Sequence, residues 1–264
     1  MPLVQRSDAA IYYEVCGDGP PLTLAHGAGG NTLVWFQQVP HFARRYRVLT
    51  FDHRGFGRSR CNVGAESAQH FAADLAALLD DAGIARTALV CQSMGGWTGL
   101  QFALAHPERV AALVLSGTPA GILTSKVRDA LVSIGAAAAR MDQTPRWNEA
   151  HPALAADVFE RDPARGFLYA QLTALNPPGD LVKRALHTVM VDPSALTNWT
   201  IPTLLVGGAH DRLFAPAVLE EVAAAIPGAR FQVIPTVGHS PYFEAPEAFN
   251  RVVGEFLDQF IPSP

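Results

Sequence analysis

The sequence predicts an α/β fold, a mostly parallel sheet covered by helices on both faces, and three observations carry that prediction. Short apolar runs recur at Leu22–Ala25, Val48–Phe51, Thr87–Cys91, Val110–Leu115, Pro202–Val206 and Arg230–Ile234. They are nearly continuous in hydrophobicity, as strands buried on both faces must be. Helical patterns lie between most of them, giving the βα alternation of a parallel sheet. Glycine-bearing polar segments follow directly on several runs, where open α/β sheets place their sites.

Each element follows from its residues. Residues 3–15 alternate loosely around Ser7 and Asp8 and read as an opening antiparallel hairpin. Gly17 to Pro21 is a turn into the first buried strand, which runs out into His26–Gly30; a helix containing Trp35 and Phe36 is expected next. After the strand at Val48–Phe51 comes the polar loop Asp52–Ser59. Ser67 is placed to cap a helix with Phe71, Leu75, Leu78 and Leu79 on one face, ended by Gly83. The strand ending at Cys91 turns through Ser93 into a helix reaching Ala105. A helix near residues 216–226 separates the last two strands. The closing helix carries Phe249, Val252, Val253, Phe256, Leu257 and Phe260 at helical period.

The rhythm breaks over residues 119–199, where prolines separate helical stretches and no strand is convincing. This reads as an all-helical insertion (a lid), leaving residues 1–118 and 200–264 as the core. No internal repeat and no low-complexity linker interrupts the chain.

Composition narrows the function. The 264 residues are 49% hydrophobic and 17% charged, with a formal net charge of −4. That suits a compact globule and gives no basic footprint for nucleic acid. The long uncharged run Thr87 to Pro107 is interrupted by Gln92, Ser93, two adjacent glycines and Gln101, so no membrane span is expected. The first residues lack an apolar stretch of signal-peptide length. Three irregularly spaced cysteines, Cys16, Cys61 and Cys91, form no metal pattern and fit free thiols in a reducing cytoplasm. A small-molecule substrate is the expected partner; the oligomeric state is left open.

The segment Ala88–Trp97 concentrates the chemistry. A strand turning abruptly into a helix forces its apical residue, Ser93, into a strained conformation, and Gly95 and Gly96 make room on the helix side. The Met94 N–H then lies at a helix N-terminus, aimed at an oxyanion forming beside Ser93. This stretch resembles the nucleophile elbow of the α/β-hydrolase superfamily, in the branch bearing a helical lid. Cys91 stands where the usual pattern has glycine, and is small enough for the strand–helix crossing. The resemblance extends to His26–Gly30, Gly207–Phe214 and Val237–Pro241, each following a predicted strand.

The resemblance implies an α/β-hydrolase fold and a Ser93–Asp211–His239 triad in the family's chain order, with oxyanion donors from Ala28 and Met94 and no metal or organic cofactor. It implies a serine hydrolase acting on a small carboxylic ester or lactone. The superfamily also holds C–C bond hydrolases, lyases, cofactor-free haloperoxidases and perhydrolases, and a slow-turnover receptor with an intact triad is a further alternative.

Competing assignments are weaker. Some relatives take their acid after the strand that follows the elbow helix, but that strand ends in Ser116-Gly-Thr118, without a carboxylate. Asp192 precedes Pro193 and Ser194 and reads as a helix start. His26 reads as structural, His210 as a solvent-facing loop residue and Asp52–Ser59 as a structural loop. Trp35 and Trp97 are expected at the mouth of the site as substrate-binding residues. The insertion carries eight basic and eight acidic residues, hence no net field for an anionic substrate. Its bulky residues Met141, Trp147, Phe159, Phe167, Leu168, Tyr169, Leu172, Met190 and Trp199 supply the lid's own core and, in part, an apolar pocket wall.

Overall fold

A computed structural model describes residues 2–138, 151–176 and 186–261. Among the described residues nine strands form one sheet: β1 (Leu3–Gln5), β2 (Ala9–Cys16), β3 (Pro21–Ala25), β4 (Arg47–Phe51), β5 (Arg60–Cys61), β6 (Thr87–Gln92), β7 (Val110–Ser116), β8 (Thr203–Gly208) and β9 (Arg230–Ile234). Their order is β1-β2-β4-β3-β6-β7-β8-β9, with β5 paired to β2. The opening hairpin is antiparallel, as its alternation predicts, and β2 joins β4 antiparallel. From β4 to β9 every pairing is parallel.

Side chains of the central strands alternate between two apolar layers, following the period of two along a strand. Leu89, Cys91, Leu113, Leu115 and Leu205 face one layer, which is covered by α2 (Phe71–Asp81), α3 (Met94–Ala105) and α7 (Pro216–Ala224). Leu24, Val90, Val114 and Val206 face the other, covered by α1 (Val39–Phe42) and α9 (Pro246–Leu257), with the short α8 (Pro241–Glu244) beside them. Among the described residues, no helix is long and apolar enough to cross a membrane.

The segment after His26–Gly30 differs from the expected helix. It forms a single 3-10 turn, Thr32–Trp35, and then the four-residue α1. Pro40, lacking an N–H, can sit only in the first turn of a helix, so the two pieces cannot merge. Between β7 and β8 lie α4 (Ser125–Ala138), α5 (Val158–Arg161), α6 (Pro163–Ala174) and 3-10 turns at Leu186–Val189 and Pro193–Leu196. A lone parallel bridge, Ile122 to Val191, joins the two ends of this segment. Of its bulky residues, Met141 and Trp147 lie outside the described residues.

The strand–helix crossing under Ser93 is tightly filled. The Cys91 side chain is fully buried, and a Cβ added to Gly99 of α3 would meet its sulfur at 2.5 Å. Burial pushes the thiol pKa up, so the sulfur stays a neutral packing atom. A branched side chain has no room there. Cys91→Val is expected to lower stability by about 1–3 kcal/mol, read as a fall in Tm, whereas Cys91→Ser should remain folded and active.

Candidate active site

Five parallel strands deliver the candidate residues to one edge of the sheet, because all five end on the same side. Ser93 follows β6, His26 to Gly30 follow β3, Gly117 follows β7, Asp211 follows β8 and His239 follows β9. Ser93 has φ 47° and ψ −118°, a conformation a side chain adopts only under strain. The surroundings enforce it: a Cβ at Gly95 would lie 2.3 Å from the Ala25 carbonyl oxygen, so α3 starts as close to β3 as a backbone can. As the first helical residue, Met94 has an N–H without an intrahelical acceptor.

Asp211 and His239 meet as the sequence implies. His239 Nδ1 lies 2.9 Å from Asp211 Oδ2, and both side chains are almost wholly buried. The other carboxylate oxygen, Oδ1, accepts the N–H groups of Leu213 at 2.8 Å and Phe214 at 2.9 Å, which fixes the carboxylate on its own turn. A carboxylate accepts only, so Nδ1 carries the proton and the lone pair lies on Nε2. Nε2 is buried and has no hydrogen-bond partner among the described residues. Gly117, at φ 56°, is what allows the ring to lie against β7: a Cβ there would meet the His239 carbonyl oxygen at 2.6 Å.

The loop after β3 rests on two neutral histidines. His26 Nδ1 bonds the Gly27 carbonyl at 2.8 Å, leaving Nε2 to accept the His53 N–H at 3.0 Å and the His53 Nδ1 proton at 3.2 Å. His53 Nε2 then accepts from the Thr98 hydroxyl at 2.8 Å. Burial holds both imidazoles below their ordinary pKa, His53 well below, so the chain of donors and acceptors is uncharged. This makes His26 a scaffold residue. The Asp52–Ser59 loop is also scaffold: Asp52 accepts the Thr32 and Arg58 N–H groups, and buried Arg54 forks onto Asp74 at 2.7 and 2.8 Å. Asp192 caps the Pro193–Leu196 turn through Ser194 N–H at 2.9 Å, and His210 is exposed.

Trp35 is not at the mouth. Its indole is wholly buried against Tyr242, with ring centroids 4.5 Å apart, because the 3-10 turn points it into the layer under α9. Trp97 is buried in the opposite layer, with Nε1 against Gly121 at the start of the insertion. Three of the insertion's described bulky residues are also directed elsewhere. Phe167 and Leu168 are exposed, and Trp199 Nε1 donates to Ile201 and Thr203 at the foot of β8. Tyr169 is the exception: its buried hydroxyl lies 3.3 Å from Ser240 Oγ, next to His239. Its hydroxyl, with Thr173 and His151, also lies over Gly29 of the β3 loop.

Three polar residues in this neighbourhood were given no role by the sequence reading. Gln92 is buried, and its Nε2 lies 3.4 Å from the His239 carbonyl. Glu244 accepts the Gly238 N–H at 2.8 Å on one oxygen and the Ala155 N–H at 3.0 Å on the other, and burial raises its pKa. Asn176 joins the end of α6 to the β3 loop. Among them only Glu244, an acid five residues after His239, has a position in the sequence that points toward the site.

The alpha/beta hydrolase family model matches residues 24–252, spanning all these loops. The chain belongs to the alpha/beta hydrolase family. This hydrolase is 29% identical to the putative carbamate hydrolase RutD of Azorhizobium caulinodans, over 98% of this chain and 99% of that one. It is 30% identical to the putative non-heme bromoperoxidase BpoC of Mycobacterium tuberculosis, over 94% and 97%. The crystal structure of the enol-lactonase from Burkholderia xenovorans LB400 superposes on the hydrolase with a TM-score of 0.79 at 26% identity, covering 97% of this chain and 99% of that one.

Proposed function

We propose that this hydrolase cleaves a small, largely apolar carboxylic ester or lactone through an acyl-enzyme on Ser93. The observation that carries the reading is the His239 imidazole. It is oriented by a buried carboxylate, with an unpaired buried lone pair at the strand ends that also present a strained serine.

The chemistry follows. A serine hydroxyl is a weak nucleophile, so His239 Nε2 takes its proton as Oγ attacks the carbonyl carbon. Asp211 keeps its charge and stabilises the imidazolium. The Ala28 and Met94 N–H groups receive the carbonyl oxygen as it becomes an oxyanion, each contributing about 3 kcal/mol. Collapse of the tetrahedral adduct expels the alkoxide, which takes the proton from His239. Water, deprotonated by the same nitrogen, then attacks the acyl-enzyme and releases the acid and Ser93.

The segment between β7 and β8 acts as a lid over this edge, with Tyr169 and Thr173 on its underside. Each methylene of a fitting acyl chain then gains roughly 0.8 kcal/mol until the wall is reached. Hydrolysis of p-nitrophenyl esters is therefore expected to rise and then collapse from acetate through octanoate to palmitate. Tyr169→Ala should move the collapse to longer chains. A preference for palmitate or for succinyl-type anions would overturn this picture. The likeness to a bromoperoxidase favours one second reading, perhydrolysis on the same triad, in which peroxide replaces water in the last step; peracid formation from acetate and peroxide tests it.

A further inference from the structure

The proposed oxyanion donor Ala28 sits in a turn that its own sequence cannot hold. Gly27, Gly29 and Gly30 surround it, and glycine carries the largest backbone entropy of any residue. Something outside the turn must fix the direction of its N–H, and hydrogen bonds from two sides do so.

On the core side, His26 Nδ1 bonds the Gly27 carbonyl oxygen. On the insertion side, Asn176, 147 residues away in sequence, donates from Nδ2 to the Gly29 carbonyl oxygen at 3.0 Å. The two anchors are linked by the turn itself, because the Gly30 N–H donates to the Gly27 oxygen at 2.9 Å. The Gly29 oxygen and the Gly30 N–H belong to one peptide plane, and the Gly27 oxygen and the Ala28 N–H to the next. A bond at Asn176 is thus transmitted through two rigid planes to the Ala28 N–H. Each donor on a carbonyl also polarises the N–H at the other end of its plane, so the relay strengthens as well as aims the last donor.

The amide of Asn176 cannot be turned round. Its Oδ1 faces donors, the Gly57 N–H at 3.0 Å and Asn31 Nδ2 at 3.4 Å, and Asn31 is held in turn by the Leu172 carbonyl at 3.0 Å. Only Nδ2 can face Gly29.

We infer that Asn176 is a positioning residue for the oxyanion hole, acting through the Gly29–Gly30 and Gly27–Ala28 peptide planes on the Ala28 N–H. The inference rests on the serine-hydrolase reading and adds to it a residue of the insertion that never touches substrate.

Asn176→Asp tests it with little change of shape. The carboxylate keeps an acceptor for Gly57 but sets oxygen against the Gly29 oxygen, tilting that peptide away. With a fitting p-nitrophenyl ester, kcat is expected to fall about tenfold, short of the roughly 10²–10³-fold for outright loss of an oxyanion donor, while KM stays within about twofold. The affinity of an aryl trifluoromethyl ketone, whose adduct with a serine carries an oxyanion, should fall by the same factor as kcat. Asn176→Ala should show the same pattern more weakly and carries the test should the aspartate variant not fold. A purely structural role would lower Tm or raise KM and leave the ketone affinity of folded protein untouched; that outcome, or unchanged kcat in both variants, overturns the inference. Wild-type protein that forms no ketone adduct, or an adduct that survives Ser93→Ala, would overturn the serine-hydrolase reading itself and this inference with it.

Discussion

Ser93→Ala is expected to give a folded protein in which ester cleavage is lost, by on the order of 10⁶-fold where the comparable serine has been removed from a triad. The side chain is only partly buried, and neither its N–H nor its carbonyl depends on the hydroxyl: the N–H donates to Ser116 at 2.9 Å and the carbonyl accepts from Gly96 at 2.8 Å. The φ of 47° is as costly for alanine as for serine, so stability should hardly move. Substitution by glycine, which adopts that φ freely, should raise Tm instead. Steady-state turnover and a thermal melt on the same samples check both halves. Activity in Ser93→Ala comparable to wild type would remove the serine from the nucleophile's place.

The second large effect concerns the tautomer. Asp211→Asn keeps the size of the side chain and an acceptor for Leu213 and Phe214, but it can set an NH₂ group against His239 Nδ1. Nδ1 must then accept, the proton moves to Nε2, and the base that the proposed mechanism needs is lost. A fall in kcat of ~10⁴-fold is expected, with KM little changed. Asp192→Asn is the matched control, because that carboxylate is committed to the N–H of Ser194 and should be nearly silent in the same assay. The reverse ranking would name Asp192 as the acid.

Much of the fold is legible in the amino-acid sequence itself. Strands such as Val110–Leu115 announce themselves because burial on both faces leaves no polar position. Ser93 and Asp211 each follow such a run at a glycine-bearing loop, His239 follows the more polar edge strand Arg230–Ile234, and strand ends of a parallel sheet lie together whatever their distance in sequence. Trp35 was misplaced for the converse reason. Closeness in sequence to the His26–Gly30 loop says nothing of which layer its ring enters, and Tyr242, more than 200 residues on, decides that. Asn176 carried no local signal at all. Its hydrogen bonds to Gly29 and Gly57 cross separations of 147 and 119 residues. A polar residue at the end of a helix looks the same whether it meets water or a distant carbonyl.

Glu244 deserves a thermodynamic reading. Its one carboxylate is shared by two amides from different parts of the chain, Gly238 beside His239 and Ala155 in the insertion. If Ala155 leaves, one oxygen of a buried anion loses its donor, and the penalty falls on whatever still surrounds the charge. If the loop around Gly238 opens, the same charge is stranded against the insertion. Neither segment can come free at its own intrinsic cost, so their local opening equilibria merge into a single cooperative unit. Seating of the segment around Ala155 and closure of the loop that carries His239 are thereby coupled through one carboxylate.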